Sequence, residues 1–398
     1  MIGNTFIPFG KPNFSEDEIL AVTRVLKSGW VGMGPETTAF EEELAAFLDS
    51  PQVVLVNSCT SALFLALLVH GVQPGDEVIC PSLTWCSTAN AALYLGAKVV
   101  FCDVDPSTMC ITPETVQGKL TAKTKAVILV HFGGLAVDVA PLRAVLPSRV
   151  AIIEDAAHAL GSCNPDGRKV GSSGNVTCFS FYANKNLSTG EGGAIALSDP
   201  VMSERLRALR LHGLPTDAWK RFSDARHIFN CQINELGYKM NYTDLQACIG
   251  RVQLRRQAEF HERRLKIASY YYKRLSEQPK IRFQSEILSP GHSRHLFVVR
   301  LPIRELSLTR DELLMELRNR QIGASIHYTP LHLMPFYALD SHQGPPELPH
   351  TEELSKDIMT LPISASLEME EAEYIVDQVV NLLSEATKTL ITPQRSVR

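Results

Sequence analysis

The chain has 398 residues, of which 45% are hydrophobic and 21% charged, and its formal net charge is −4. This composition excludes disordered and collagen-like chains, and the weak negative charge argues against a nucleic-acid partner, which requires a basic face. No apolar run reaches the roughly 20 residues of a membrane span, and the first residues lack an export signal, so we expect a cytoplasmic protein without a membrane partner.

The first 50 residues predict a helix with clear signals at both ends. Ser15 precedes three acidic residues, as an N-cap does, and Gly29 follows the last apolar residue of the helical pattern, Leu26. After this segment the hydrophobic pattern changes.

From residue 51 to about residue 200, short apolar runs alternate with helical patterns. The runs predict strands over residues 52–56, 77–80, 99–103, 126–131, 150–154 and 176–181, and helices are predicted between them, for example over 61–71 and 87–96. Because the runs are apolar throughout, both of their faces are expected to be covered. The pattern therefore predicts an α/β fold with a mostly parallel central sheet flanked by helices.

Beyond residue 240 the pattern predicts a second, smaller α+β domain. A long amphipathic stretch over residues 243–278 predicts one helix or two, followed by a strand over 295–301, a helix over 309–320 and a final helix that ends near residue 383. We place the large domain at residues 1–245 and the small domain, which begins with the long helix, at 246–398.

Several common chemical motifs are absent from the sequence. No P-loop, no G-x-G-x-x-G turn after a strand, no H-E-x-x-H zinc spacing and no G-x-S-x-G turn occurs. The nine cysteines are scattered without a C-x-x-C pair, which indicates reduced thiols rather than a disulfide framework. No metal site is predicted.

Three segments at predicted strand ends could carry chemistry. The first is the small polar turn Asn57-Ser58-Cys59-Thr60-Ser61, which leads directly into a helix. Free backbone N–H groups and hydroxyls at a helix N-terminus bind phosphate well. The same pattern is also that of an ordinary serine or threonine N-cap.

The second segment contains two consecutive acids, Glu154 and Asp155, at the end of an apolar strand. Their side chains are expected to point to opposite faces of the sheet, which directs Asp155 toward the strand-end cleft with His158 nearby. This pattern fits a Mg²⁺ site, a general acid or base, or a solvated strand end.

The third segment places Lys185 after an aromatic strand and before a glycine-rich turn at residues 190–193. Burial in such apolar surroundings lowers the pKa of a lysine and makes the amine a usable nucleophile. A solvated lysine at a strand end is the alternative.

The order and combination of these segments resemble the sugar aminotransferases of the DegT/DnrJ/EryC1/StrS family, which are pyridoxal 5'-phosphate (PLP) enzymes of fold type I. The resemblance covers about residues 8 to 383, and its most specific block is F-S-F-Y-A-x-K-N-x-S-T-G-E-G-G at residues 179–193. Further matching stretches lie at residues 28–35, 57–63, 75–84, 103–105, 154–159, 244–247 and 330–333.

The resemblance implies roles for four residues around the cofactor ring. Lys185 would form the internal aldimine with PLP and later move a proton between the substrate carbon and C4′ of the cofactor. Asp155 would accept a hydrogen bond from the protonated pyridine nitrogen, His158 would contact the oxygen-bearing edge, and Trp85 would stack on the ring.

The resemblance also implies a phosphate cup that is shared between two subunits. Thr60, Ser61 and Ser180 would bind the phosphate, and either Lys239 or Asn241 of the neighbouring subunit would complete the cup. A homodimer with shared active sites follows from this arrangement.

The implied activity is transfer of an amino group from L-glutamate to a ketone on a nucleotide-activated keto-sugar or cyclitol, in amino-sugar biosynthesis. Tyr182, His327 and His332 are candidates for the sugar pocket, although the two histidines fit surface or loop positions equally well. The alternatives are a PLP-dependent sugar dehydratase, whose relatives replace the lysine by histidine, and a non-catalytic regulatory protein on the same fold.

Overall fold

A seven-stranded sheet forms the centre of the computed structural model, which describes residues 5–215, 219, 223, 232–338 and 346–387. Its strands are β1 (Gln52–Val56), β2 (Glu77–Pro81), β3 (Lys98–Cys102), β4 (Thr124–Val130), β5 (Ala151–Asp155), β6 (Val176–Ser180) and β7 (Gly193–Leu197). They are arranged in the order β1-β7-β6-β5-β4-β2-β3.

Six of the seven strands run in one direction, and β7 runs antiparallel to both of its neighbours, β6 and β1. The predicted α/β fold with a mostly parallel sheet is confirmed. Strand β7 was not predicted from the sequence, because its five residues, Gly-Ala-Ile-Ala-Leu, are too short an apolar run to separate strand from helix by periodicity.

The described part of the large unit contains seven helices. They are α1 (Glu16–Ser28), α2 (Pro35–Leu48), α3 (Cys59–Val69), α4 (Cys86–Leu93), α5 (Pro113–Gln117), α6 (Val139–Val145) and α7 (Pro200–Leu209). Both faces of the sheet contribute to buried apolar clusters. Ser15 and Glu18 form the capping box that starts α1, and Gly29 ends it at a φ of 76°.

The carboxyl-terminal part contains a small antiparallel sheet in the order β10-β9-β8, which confirms the smaller α+β unit. Its strands are β8 (Arg282–Phe283), β9 (Phe297–Arg300) and β10 (Ile358–Leu361). The described helices from residue 244 onward are α8 (Asp244–Arg255), α9 (Gln257–Leu275), α10 (Arg310–Asn319), α11 (Pro335–Ala338), α12 (Pro349–Asp357) and α13 (Met369–Ala386).

The stretch at residues 243–278 forms two helices, α8 and α9. Helix α8 packs against α1 and α2 of the large unit, whereas α9 packs against α13 of the small one. The domain boundary at residue 245 stays a prediction.

The direction of the strands determines where functional groups can gather. Strands β1, β2, β5 and β6 end at the same edge of the sheet, where ligands of open α/β sheets bind. Strand β7 begins at this edge because it runs the other way. None of the helices in the described ranges is long and apolar enough to cross a bilayer.

Candidate active site

The two acids at the end of β5 face opposite sides of the sheet and have different partners. Glu154 accepts hydrogen bonds from Ser173, from Asn175 and, at 2.9 Å, from Nε2 of the buried His131. Asp155 points to the other side, and Thr88 donates to its Oδ2 at 2.7 Å. This alternation leaves Asp155 as the carboxylate at the strand-end cleft.

The surroundings of Asp155 disfavour the ionised form of its carboxyl group. Its side chain is only 4% exposed, and burial raises its pKa above the ordinary value. The Thr88 hydroxyl, the backbone N–H of Ala157 and the nearby charge of Lys185 oppose that rise. A cation placed against this carboxylate would stabilise the ionised form.

Lys185 lies in the turn that follows β6, where its backbone N–H donates to the carbonyl of Tyr182 at 2.9 Å. Burial lowers the pKa of its amine from 10.5 to about 8, and Cys59 and Asp155 oppose this shift. A larger fraction of the amine is therefore neutral near pH 7 than for an exposed lysine. The neutral amine is the nucleophilic form.

His158 lies in a turn after β5 and is oriented by two hydrogen bonds. The backbone N–H of Gly133 donates to Nδ1 at 3.3 Å, so the ring proton lies on Nε2, which is 3.0 Å from the hydroxyl of Tyr328. Burial and the charge of Lys185 hold the pKa of His158 well below its ordinary value. His158 is therefore a neutral donor beside the lysine.

Two further histidines face the same amine. Nε2 of His295 lies 3.3 Å from Nζ of Lys185, and the His295 and His158 rings are 4.6 Å apart. His327 packs against the ring of Phe9, and burial together with the charge of Lys185 lowers its pKa to about 3. The cluster around the amine therefore contains neutral imidazoles.

The N-terminus of α3 lies at the same edge of the sheet. Ser58 caps the helix by accepting from the backbone N–H of Ser61, and the hydroxyl of Ser61 donates to Asn57 at 2.7 Å. Thr60 is half-buried in the first turn. Helix dipoles and first-turn N–H groups make such a terminus suitable for phosphate.

Ser180 ends β6 and is 9% exposed, beside the start of β7 at Gly193. A Cβ at Gly193 would lie 2.6 Å from the carbonyl carbon of Ser58 and 2.7 Å from the nitrogen of Cys59. The glycine thus lets the helix N-terminus approach the sheet closely.

Lys239 and Asn241 lie in a segment that pairs with the end of β1. The carbonyl of Met240 accepts from the backbone N–H of Asn57 at 2.9 Å, and Asn241 forms a bridge with Val56. The Lys239 side chain is exposed and has no hydrogen-bond or ion-pair partner among the residues that the structure describes.

Two aromatic side chains lie open at the site, whereas one predicted histidine lies elsewhere. Trp85 is 61% and Tyr182 48% exposed. The ring of His332 is buried between Ser82, at 2.6 Å from Nδ1, and Glu352, at 3.5 Å from Nε2. The structure therefore does not bring His332 into the cluster around Lys185.

Asp155 ends β5 and Lys185 follows β6 at the same edge of the sheet, and comparison with known sequences decides the family. The sequence profile of the DegT/DnrJ/EryC1/StrS aminotransferase family matches residues 12–380. The chain belongs to this family.

Known members of the DegT/DnrJ/EryC1/StrS family align with almost the whole chain. The spore coat polysaccharide biosynthesis protein SpsC of Bacillus subtilis is 37% identical over 385 residues, which cover 96% of this chain and 98% of SpsC. The crystal structure of the aminotransferase TlmJ from Streptoalloteichus hindustanus is 36% identical, with a TM-score of 0.86 over 95% of this chain and 99% of TlmJ.

A third relative was solved together with its cofactor. Spr1654 of Streptococcus pneumoniae, named as a sugar aminotransferase and solved in its PLP form, is 31% identical with a TM-score of 0.86. The alignment covers 96% of this chain and all of Spr1654. The protein is a PLP-dependent aminotransferase, which confirms the enzyme class, cofactor and fold type predicted from the sequence.

The residues present fit the cofactor of the family. A buried carboxylate suits a protonated ring nitrogen, an amine with a lowered pKa suits the aldehyde, and a capped helix N-terminus with hydroxyls suits the phosphate. Each of these groups lies at the carboxyl edge of the sheet.

Sequence reasoning missed four residues of this site: Thr88, Asn186, His295 and Tyr328. A threonine among alanines in α4 and a histidine just before an apolar strand were visible signals. Neither signal indicates which residue the side chain contacts, because Thr88 and Asp155 are 67 residues apart and Lys185 and His295 are 110 apart.

Proposed function

We propose that the enzyme transfers an amino group from L-glutamate to the ketone of a nucleotide-activated keto-sugar or cyclitol. The observation that carries the proposal is the placement of Lys185 and Asp155 at one edge of the sheet, where the charge of each favours the ionised form of the other. The relatives support the substrate class, because one is named for polysaccharide biosynthesis and another as a sugar aminotransferase.

The cofactor, when bound, acts as an electron sink for the carbon that loses its proton. Lys185 would be the residue that holds it covalently in the resting enzyme. Once released from the cofactor, its neutral amine would be the base that takes the proton from the substrate carbon and later returns it. An amine whose pKa lies near 8 can both accept and donate this proton near neutral pH.

Three other side chains would hold the ring. Asp155 would accept a hydrogen bond from the ring nitrogen and keep that nitrogen protonated, which would strengthen the electron sink. His158, whose Nε2–H lies 3.0 Å from the hydroxyl of Tyr328, would contact the oxygen-bearing edge, and the exposed Trp85 would stack on the ring.

The phosphate of the cofactor would be held at the N-terminus of α3. Thr60, Ser61 and Ser180 would provide hydroxyl groups there, and Lys239 or Asn241 of the partner subunit would complete the cup. The exposed Lys239 supports this arrangement, because a long cation without a described partner can reach across an interface. We therefore propose a homodimer with shared active sites, located in the cytoplasm.

The exposed Tyr182 and the half-buried His327 are our candidates for contacts with the sugar. His327 is neutral at physiological pH, since burial lowers its pKa to about 3, and it can hydrogen-bond to sugar hydroxyls. We do not extend the proposal to His332, because its ring is enclosed by Ser82 and Glu352.

The proposal is tested by separating the two half-reactions. The PLP-loaded protein is mixed with single amino acids, and L-glutamate should convert the cofactor to its amine form faster than other donors do. The amine form is then mixed with a panel of nucleotide-linked keto-sugars and free keto-sugars, and only the nucleotide-linked class should restore PLP.

Each outcome of this test bears on one part of the proposal. Failure of L-glutamate to convert the cofactor would remove it as donor, and restoration by free sugars alone would remove the nucleotide. Lys185→Ala should abolish both half-reactions, and a variant that retains them would overturn the lysine assignment.

A further inference from the structure

His295 connects the small unit to the turn that carries Lys185. It lies just before β9, which belongs to the small sheet, and its ring is only 3% exposed. Its Nε2 lies 3.3 Å from Nζ of Lys185, and its Nδ1 lies 3.2 Å from Oδ1 of Asn186. One imidazole thus bridges two consecutive residues of the lysine turn.

The hydrogen bonds on Asn186 determine where the ring carries its proton. Nδ2 of Asn186 donates to the carbonyl of Ser293 at 3.0 Å, so Oδ1 is the atom that faces His295. Because Oδ1 can only accept, Nδ1 of His295 carries the ring proton. Nε2 then holds a free lone pair directed at the amine of Lys185.

We propose that His295 is a positioning residue for Lys185 that holds the amine, whenever it is not bound to the cofactor, by accepting a hydrogen bond from Nζ. Asn186 fixes the tautomer that makes this possible. The proposal rests on the assignment of Lys185 as the reacting amine, and it adds a residue on the small unit to the site.

In this arrangement His295 accepts a hydrogen bond from the protonated amine of Lys185 but does not take its proton. Burial and the charge of Lys185 keep the pKa of His295 well below its ordinary value, so the ring stays neutral while the amine titrates. The proton remains on Nζ, and the hydrogen bond favours the charged amine over the neutral one. This contact also restricts the free amine to one side of the site.

Other groups face the same two side chains and act on the same titration. Cys59 on α3 and Asp155 on β5 raise the pKa of Lys185. Arg264 on α9, His158 after β5 and His327 in the loop between α10 and α11 lower the pKa of His295. None of these groups is altered by a substitution at His295, so the hydrogen bond can be tested separately.

The test measures how the reactivity of Lys185 in the cofactor-free protein depends on pH. An amine-selective acylating reagent is applied in trace amounts from pH 6 to 11, and mass spectrometry follows the peptide that contains Lys185. His295→Phe removes the acceptor and should lower the apparent pKa of Lys185 by about one unit, the size expected for one hydrogen bond to a charged group.

Two more variants keep the test decisive if the phenylalanine unfolds the protein. His295→Gln retains an acceptor near Nε2 and should restore most of the wild-type pKa. Asn186→Leu leaves His295 in place but removes the acceptor for Nδ1–H, and should shift the pKa of Lys185 down by a smaller amount. Thermal unfolding identifies any variant that has lost its fold.

His292→Phe is the matched control, since His292 is equally buried but bonds to Gln284 and Arg294. It should leave the pKa of Lys185 unchanged. An unchanged or raised pKa in His295→Phe, or equal shifts in the two phenylalanine variants, overturns the positioning role. If Lys185→Ala still binds PLP covalently, the lysine assignment fails instead, which is a distinct result.

Discussion

The hydroxyl of Thr88 donates a 2.7 Å hydrogen bond to Oδ2 of Asp155, and both side chains are buried. The hydroxyl of Thr88 is itself 2.9 Å from Oγ1 of Thr84. Helix α4, which the sequence predicted without indicating a role for Thr88, therefore supports the carboxylate that we assign to the ring nitrogen.

Replacing Thr88 by valine keeps the shape of the side chain and removes this donor. Without it the pKa of Asp155 rises further, and we expect kcat to fall about tenfold, which corresponds to about 1.4 kcal/mol, close to the contribution of one hydrogen bond to a charged group. Thr88→Ser should restore the rate. Thr84→Val, which affects only the outer hydroxyl, should change kcat little, and equal losses in both valine variants would contradict the role of Thr88.

The close approach of β7 to α3 predicts a defect in cofactor binding. Gly193→Ala places a Cβ within 2.7 Å of backbone atoms of Ser58 and Cys59, so the N-terminus of α3 must move. We expect the dissociation constant of PLP, measured by equilibrium dialysis, to rise about tenfold or more. Gly118→Ala, where a Cβ meets no atom within 4 Å, should leave it unchanged.

Physical reasons explain which residues of the site could be predicted from the sequence and which could not. Asp155 and Lys185 could be placed from the sequence because Asp155 ends one strand and Lys185 lies in the turn after the next, and parallel strands bring their carboxyl ends to one edge. The partners Thr88 and His295 depend on how distant segments pack, which local patterns do not encode. His332 shows the opposite case, since its residue type suggested a site while packing placed it against Ser82.

The buried histidines predict that the protein loses stability in mild acid. Burial lowers the pKa of His292 to about 3, so below about pH 6.5 the unfolded chain binds a proton that the folded chain does not. Stability should therefore fall as pH falls, and His292 alone contributes about 2 kcal/mol between pH 6.5 and 5.

Urea unfolding at several pH values measures this contribution. His292→Gln keeps hydrogen-bonding groups but cannot titrate, so the free energy of unfolding should decline less steeply with acid than in the wild type, by about 1.4 kcal/mol per pH unit. Parallel slopes for the two proteins would show that His292 is protonated in the folded state.

Asp244 predicts a stability effect outside the active site. Its carboxylate accepts from the backbone N–H groups of Gly34, Glu36 and Thr37 and from the hydroxyl of Thr37, and so caps α2 from the start of α8. Asp244→Ala should lower the free energy of unfolding by about 2 kcal/mol. Asp199 is an exposed N-cap, at the start of α7, and Asp199→Ala should lower the free energy of unfolding by less than Asp244→Ala does. The reverse order would contradict this account.

The central claim, that Lys185 is the amine that holds PLP, can be measured directly. The protein is loaded with PLP, reduced with sodium borohydride, digested and examined by mass spectrometry. We predict one pyridoxyl group, on the peptide that contains Lys185, and its loss in Lys185→Ala. A pyridoxyl group on another lysine, or none on any peptide, would contradict the account.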